Sequence, residues 1–212
     1  MAEGGVMSMQ PTDVQVYNQT ALGVNAPIYA YYAGRIVART GVVAGTCLDL
    51  GCGGGYLGLA LARITDLDCI FLDQSPEMLA CAEENIKAFG CAHRARTLRG
   101  QVQSIPLADD CVDLAISRGS LPFWEDLAAA FAEIRRVLRT GGHAYLGGGL
   151  GDPNTRAEME EQRRKLYPEW RQNKRTPPQR DNRQYIEGLT KAGIDPFEVN
   201  RSDEGLWIFF QK

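Results

Sequence analysis

From residue 46 onward, short apolar runs alternate with longer stretches whose apolar residues recur at helical spacing, the signature of βαβ units around a parallel sheet. TCLDL (46–50) predicts a buried strand and YLGLALARI (56–64) a helix, followed by a second strand at DCIFL (68–72). Ser75-Pro76-Glu77 then starts a helix: Ser75 can cap it, Pro76 suits its first position, and Glu77 meets its positive end. Met78, Leu79, Ala82, Ile86 and Phe89 form its apolar stripe, and Gly90 stops it. Further strands are predicted at 95–100, 112–117 and 143–148, with an amphipathic helix from Trp124 to Arg139 and a turn at Gly141-Gly142. A helix near 182–192 leads to strands at 196–200 and 206–211, joined by RSDEG as a hairpin. Because a short hairpin joins antiparallel strands, the last strand should run against its neighbours.

The ends of this core behave differently. Residues 16–40 are helical by pattern and aromatic, with Tyr17, Tyr29, Tyr31 and Tyr32, and should form a helical cap over one edge of the sheet. Residues 152–183 are polar, with nine Arg or Lys against six Asp or Glu, and include Tyr167, Trp170 and the Pro177-Pro178 break. This stretch reads as an inserted lid. The expected class is α/β: a Rossmann-like, doubly wound, mostly parallel seven-stranded sheet with an antiparallel last strand and an N-terminal helical cap. The 212 residues suit a single domain: tail and cap at 1–45, ligand-binding core at 46–150, lid-like insertion at 151–183, final helix and hairpin at 184–212.

Composition narrows the classes. A formal net charge of −3 argues against a dedicated nucleic-acid binder. No apolar run approaches the roughly 18 residues needed to cross a bilayer. MAEGGVMSMQ at the N-terminus lacks a basic region followed by an apolar stretch, and reads as a disordered lead-in. The six cysteines form no C-x-x-C pair or zinc spacing and read as buried free thiols in a reducing cytoplasm, with no resident metal; thiol chemistry with a metal or metalloid is the alternative.

The most informative residues are Leu48-Asp49-Leu50-Gly51-Cys52-Gly53-Gly54-Gly55-Tyr56. A strand ends, glycines turn, and a helix begins, at the place where doubly wound sheets bind ligands. A plain strand–helix turn rarely needs four glycines in five positions. Gly53-x-Gly55-x-x-Gly58 also satisfies the dinucleotide pattern, which is weak alone. Asp73, ending the second strand, could hold the ribose of either kind of nucleotide. Asp49 separates them, because a carboxylate beside the loop repels a pyrophosphate but orients a cationic amino-acid moiety.

LDLGCGGGYLGLALA with FLDQSPEMLACAEEN, continuing through SIPLADDCVDLAIS and AFAEIRRVLRTGGHAYLG, resembles the class I S-adenosylmethionine-dependent methyltransferases over about residues 40–150, particularly the small-molecule branch that includes quinone-biosynthesis enzymes. The resemblance implies S-adenosyl-L-methionine as cofactor and S-adenosyl-L-homocysteine as product. It implies contacts to the methionine part from Asp49, Gly51, Cys52 and Gly53, to the ribose from Asp73, and near the adenine from Gln74. The family often has an acid where Gln101 stands; a glutamine can read the adenine amino group through its carbonyl oxygen, with Val102 beside it.

Ser117-Arg118-Gly119-Ser120-Leu121-Pro122-Phe123-Trp124 follows the fourth strand and should face the transferred methyl. It is not the Asn/Asp-Pro-Pro-aromatic motif of amino-group methylation. Arg118 could bind an anionic substrate, the cofactor carboxylate, or an acid of the protein itself. Ser117 joins it as a cofactor contact. Catalysis would come from proximity and orientation, with Arg118 and Tyr17 as candidates for any direct role. Tyr29, Tyr32, Trp124, Gly148, Tyr167 and Trp170 are candidate substrate contacts, although aromatics at helical spacing also serve as core and Trp124 as helix-start packing. Gly147 to Gly149 admit a flexible linker, or close approach of a substrate or lid. The basic lid is a solvated face or recruits an acidic substrate. His143 should be structural and His93 solvated. The function read from this set is methyl transfer to a small molecule by a monomer or homodimer, without nucleic-acid or membrane partners. A nicotinamide-dependent oxidoreductase and a non-catalytic binding protein are the alternatives.

Overall fold

The computed structural model of the chain describes residues 11–166 and 180–212. Two helices, α1 (Pro11–Leu22) and α2 (Ala26–Thr40), precede β1 (Ala44–Leu50), α3 (Tyr56–Ala62), β2 (Asp66–Asp73), α4 (Pro76–Ala88) and β3 (Ala95–Arg99). Then come β4 (Val112–Arg118), a 3-10 turn (Leu121–Phe123), α5 (Leu127–Val137), β5 (Leu138–Gly148), α6 (Pro153–Leu166), α7 (Asn182–Lys191), β6 (Phe197–Ser202) and β7 (Gly205–Gln211). The strands form one seven-stranded sheet in the order β3-β2-β1-β4-β5-β7-β6. Only β7 runs against its neighbours. The order reverses between β1 and β4, so the carboxyl ends of those strands open the crevice in which such sheets take ligands.

Local signals account for the elements. Ser75 caps α4 by accepting from the Met78 N–H at 3.2 Å. Gly90 follows α4 at φ +70°, which glycine adopts without strain. Asp126 caps α5 by accepting from the Ala129 N–H at 3.0 Å, which starts the helix after Trp124 rather than at it. The same chain then enters β5 five residues before the predicted 143: Val112 pairs with Leu138 and Leu114 with His143, so a bulge absorbs the intervening residues. A helix at Pro153–Leu166 was absent from the sequence pattern because its interior face is narrow, with Met159 its one buried residue. Its start was nonetheless written in Asp152-Pro153, since the Asp152 carboxylate accepts from the N–H groups of Asn154 and Thr155.

The sheet has two apolar faces. On one, α5 and α7 cover β4, β5 and β7 through Phe131, Ile134, Tyr185 and Leu189. On the other, α2, α3 and α4 pack on Cys47, Phe71, Leu114, Ile116 and Tyr145. The N-terminal helix α2 therefore corrects the expectation of a cap over an edge. Ile28, Tyr29, Tyr32, Ala33 and Ile36 form an apolar stripe that is buried against the middle of that face, because β4, β5 and β7 need covering there and no crossover helix does it. Helix α1 packs on α4 instead, through Val14 against Met78 and Cys81.

Gly147 and Gly149 have a reason different from a linker or ligand approach. A Cβ on either would overlap a carbonyl oxygen of the β6–β7 hairpin, of Leu206 and Glu204 respectively. The glycines let β7 lie against the end of β5. His143 stacks at 5.7 Å on Phe209, and burial together with nearby Arg39 lowers its pKa, consistent with a packing role. Among the described residues no helix is long and apolar enough to cross a membrane, and no cluster of His, Cys, Asp and Glu is arranged to hold a metal. The lead-in at 1–10, Tyr167, Trp170 and Pro177-Pro178 lie outside the described residues.

Candidate functional site

The loop between β1 and α3 is held from three sides. From β2, the Leu72 carbonyl accepts from the Cys52 N–H at 3.0 Å, and the Asp73 carboxylate accepts from the Gly53 N–H at 2.9 Å. From α4, the Asn85 amide donates to the Gly54 carbonyl at 2.8 Å and exchanges hydrogen bonds with Asn18 of α1. From the β4 side, the Ser120 hydroxyl donates to the Leu50 carbonyl at 2.9 Å. Gly51, at φ +63°, has no room for a Cβ because Ser120 occupies that space. Gly53 differs: at φ +54° its nearest would-be contact is Tyr56 at 3.8 Å, so this turn of backbone is open. Gly58 brings α3 directly onto Phe71 and aims its N–H at Asp49.

Asp49 is a buried acid with little to satisfy it. It is 2% exposed, and its one hydrogen bond among the described residues comes from the Gly58 N–H at 3.0 Å. Burial pushes its pKa up to about 7, the Gly58 N–H opposes that, and Asp73 adds to the rise. A buried carboxylate with no cation beside it is costly, and a positively charged ligand group is the natural partner. Asp73 accepts one bond at each oxygen, from Gly53 and from the Ser75 N–H at 3.0 Å, which leaves lone pairs for hydroxyl donors. The carboxylate, the open glycine and the second acid thus fit the ammonium and ribose of an aminoacyl nucleoside.

Gln74 is exposed just beyond Asp73, and the Gly100 N–H donates to the Asp73 carbonyl at 3.1 Å, which brings exposed Gln101 out at the same end of the sheet. Val102 is buried beside it. Ser117 is fully buried behind the loop, its hydroxyl 2.7 Å from that of Ser120. Trp124 is also buried, donating its indole N–H to Ser120 at 3.1 Å and packing edge-on against Phe131. Both residues therefore steady the loop from behind.

Over the loop sits an aromatic group that α1 and α2 complete. The Tyr56 ring lies 5.3 Å from Tyr29 and 5.9 Å from half-exposed Tyr17. Arg118 extends under it, with its guanidinium 4.8 Å from the Tyr29 ring and one nitrogen donating to the Gly149 carbonyl at 2.8 Å. Tyr32 donates to the Glu204 carbonyl at 2.7 Å and accepts from the Gly151 N–H at 3.0 Å, tying α2 to the hairpin and to the exit of β5. A cavity of about 790 Å³ opens beyond Arg118, with Gly148 on its wall. Sequence reasoning gave no role to Ser120, Asn18, Asn85 or Tyr56 as site builders. Tyr56, opening a helix after four glycines, and Ser120, in the stretch after the fourth strand, stood where the motifs pointed; Asn18 and Asn85 did not.

Comparison with known proteins agrees with this geometry. Residues 48–146 match the family model described as a methyltransferase domain. A solved structure from Methanococcus maripaludis, described as an S-adenosyl-L-methionine-dependent methyltransferase, is 35% identical, with a TM-score of 0.85, covering 100% of this chain and 97% of that one. The 2-methyl-6-phytyl-1,4-hydroquinone methyltransferase 1 of Oryza sativa subsp. japonica is 26% identical over 155 residues, 73% of this chain and 42% of its own length. The malonyl-[acyl-carrier protein] O-methyltransferase of Pectobacterium atrosepticum is 38% identical over 96 residues, 45% of this chain and 35% of its own. The chain thus spans about two fifths of the length of these curated relatives. Sheet order, glycine loop and relatives agree: the chain belongs to the S-adenosylmethionine-dependent methyltransferase family.

Proposed function

We propose that the chain is an enzyme that methylates a small-molecule acceptor at the expense of S-adenosyl-L-methionine. The observation that carries this reading is the buried Asp49 carboxylate, with a single hydrogen bond among the described residues, at the mouth of an open glycine turn facing Asp73. A nicotinamide dinucleotide would bring a pyrophosphate to that carboxylate, which is repulsive. Asp49, Gly51, Cys52 and Gly53 would hold the methionine portion, Asp73 the ribose, and Gln74, Gln101 and Val102 the adenine. When bound, the cofactor supplies an electrophilic methyl on a sulfonium with a neutral thioether as leaving group.

The protein's part is then alignment and exclusion of water, for which no general base is required. Tyr17, Tyr29 and Tyr56 wall the loop on one side, while Arg118 and the cavity beyond it receive the acceptor. We also place the protein in the cytoplasm, a reading supported by six cysteines that form no disulfide.

Calorimetric titration with S-adenosylmethionine, S-adenosylhomocysteine, NADH and NADPH tests the assignment. Micromolar binding of the two sulfur nucleotides and none of the nicotinamides is expected; the reverse pattern overturns it. Methyl transfer to a panel of small acceptors then separates an enzyme from a binding protein.

A further inference from the structure

We propose that the acceptor is an organic anion with an apolar body, held by its oxyanion (carboxylate or phosphate) in the cavity beyond Arg118. This deepens the methyltransferase reading and rests on it for the word acceptor. The cavity, about 790 Å³, is lined by three guanidinium side chains, Arg118, Arg180 and Arg201, and by the apolar Leu121, Leu150 and Leu206. It lies at the carboxyl ends of β4 and β5, next to the strand whose end completes the glycine loop.

Three guanidinium groups against one carboxylate, Asp181, leave the lining of this cavity net cationic in a chain whose formal charge is −3. None of the three has a carboxylate within 4 Å among the described residues. Asp181 offsets one of the three charges, and the Gln184 N–H it accepts at 3.1 Å fixes its carboxylate at the cap of α7.

Arg118 is the anchor. Its guanidinium is steered by the Tyr29 ring at 4.8 Å and by the Gly149 carbonyl, which takes one terminal nitrogen, and among the described residues its buried Nε has no hydrogen-bond partner. A guanidinium presents donors in a planar fork that matches a carboxylate or phosphate, and the terminal nitrogen that Gly149 does not take is the donor for an oxyanion in the cavity. Among the described residues, Arg180 and Arg201 donate to neutral acceptors, the Leu121 carbonyl and the Asn182 side chain with the Arg180 carbonyl. Their charge stays available to a ligand. Leu150, 56% exposed, and half-buried Leu206 offer surface to an apolar body rather than to a fully hydrated ion.

Titration of the full chain with sodium octanoate, octyl phosphate and uncharged octanamide, with and without S-adenosylhomocysteine, tests this. At least one anion should bind tenfold or more tightly than octanamide, and whichever anion leads names the group. Arg118→Gln should abolish that preference. Because Arg118 also holds Gly149, the exposed Arg201→Gln provides a variant that does not touch the loop, and it should reduce the preference threefold or more. Equal binding of all three probes, or an anion preference untouched by both substitutions, overturns the proposal. Loss of S-adenosylhomocysteine binding with the anion preference intact would instead count against the methyltransferase reading alone.

Discussion

At the scale of single residues, two carboxylates do different work and should respond differently to change. Asp73 accepts from the Gly53 N–H of the glycine loop and from the Ser75 N–H ahead of α4, so Asp73→Ala would remove a loop support together with the ribose contact proposed for it. S-adenosylhomocysteine affinity should fall by about 1.5–3 kcal/mol, the scale of hydrogen bonds to a charged group, as read by calorimetry. An unchanged affinity would take Asp73 out of the site. Asp49 predicts a pH dependence. Burial holds its pKa at about 7 in the free protein, and an ammonium ligand requires the ionised form. Affinity should therefore rise with pH and level off above about 7, with a slope approaching tenfold per pH unit below it. Asp49→Asn should flatten the profile. The stability of the free protein follows the opposite course. The folded carboxyl binds its proton more tightly than the unfolded one, so the stabilisation is complete below the ordinary aspartate range and is lost as pH rises toward 7.

At the scale of elements, the site depends on how helices outside the glycine motif are tied to it. Tyr32 joins α2 to the hairpin turn and to the Gly151 N–H by two hydrogen bonds. Tyr32→Phe leaves a buried N–H unsatisfied and should cost about 1–3 kcal/mol, seen as a fall of a few degrees in melting temperature. Gly149→Ala is expected to do more damage, since its Cβ would overlap the Glu204 carbonyl oxygen in backbone that has no side chain to move. Crystallography of that variant should show the hairpin displaced; an unmoved hairpin would contradict the packing reason given for the glycines. Elements with strong internal signals, such as α4 with its serine cap and glycine stop, were legible in the sequence. Helix α6 and the bulged start of β5 were not, because a narrow buried face and three extra residues against β4 leave almost no periodic trace.

For the whole molecule, ligand binding and folding are linked. A ligand that binds only the native state at a hundred times its Kd adds about 2.7 kcal/mol of stability. In a chain of this size that corresponds to a rise in melting temperature of about 5–11 °C. S-adenosylhomocysteine should produce such a shift and NADH should not; a shift with NADH alone would revive the dinucleotide reading. The hairpin is central to this coupling, because it closes the sheet beside β5, meets α2 through Glu204 and lends Arg201 to the cavity.

What the sequence determined by itself was the alternation of elements, the antiparallel turn of the last strand, and the loop whose glycines and flanking acids name the ligand class. All three are local: a period, a short hairpin connection and a contiguous motif survive without knowledge of what packs where. Tertiary structure alone decided the rest. It placed α2 on the face of the sheet rather than over an edge, because burying its apolar stripe required the uncovered strands β4, β5 and β7. It turned Ser117 and Trp124 inward to brace the loop through Ser120, seventy residues from the Leu50 carbonyl it holds. It also gathered Arg118, Arg180 and Arg201 from distant segments around one cavity. Such pairings depend on which strand ends and helix starts meet in space, and spacing along a single chain carries no record of that.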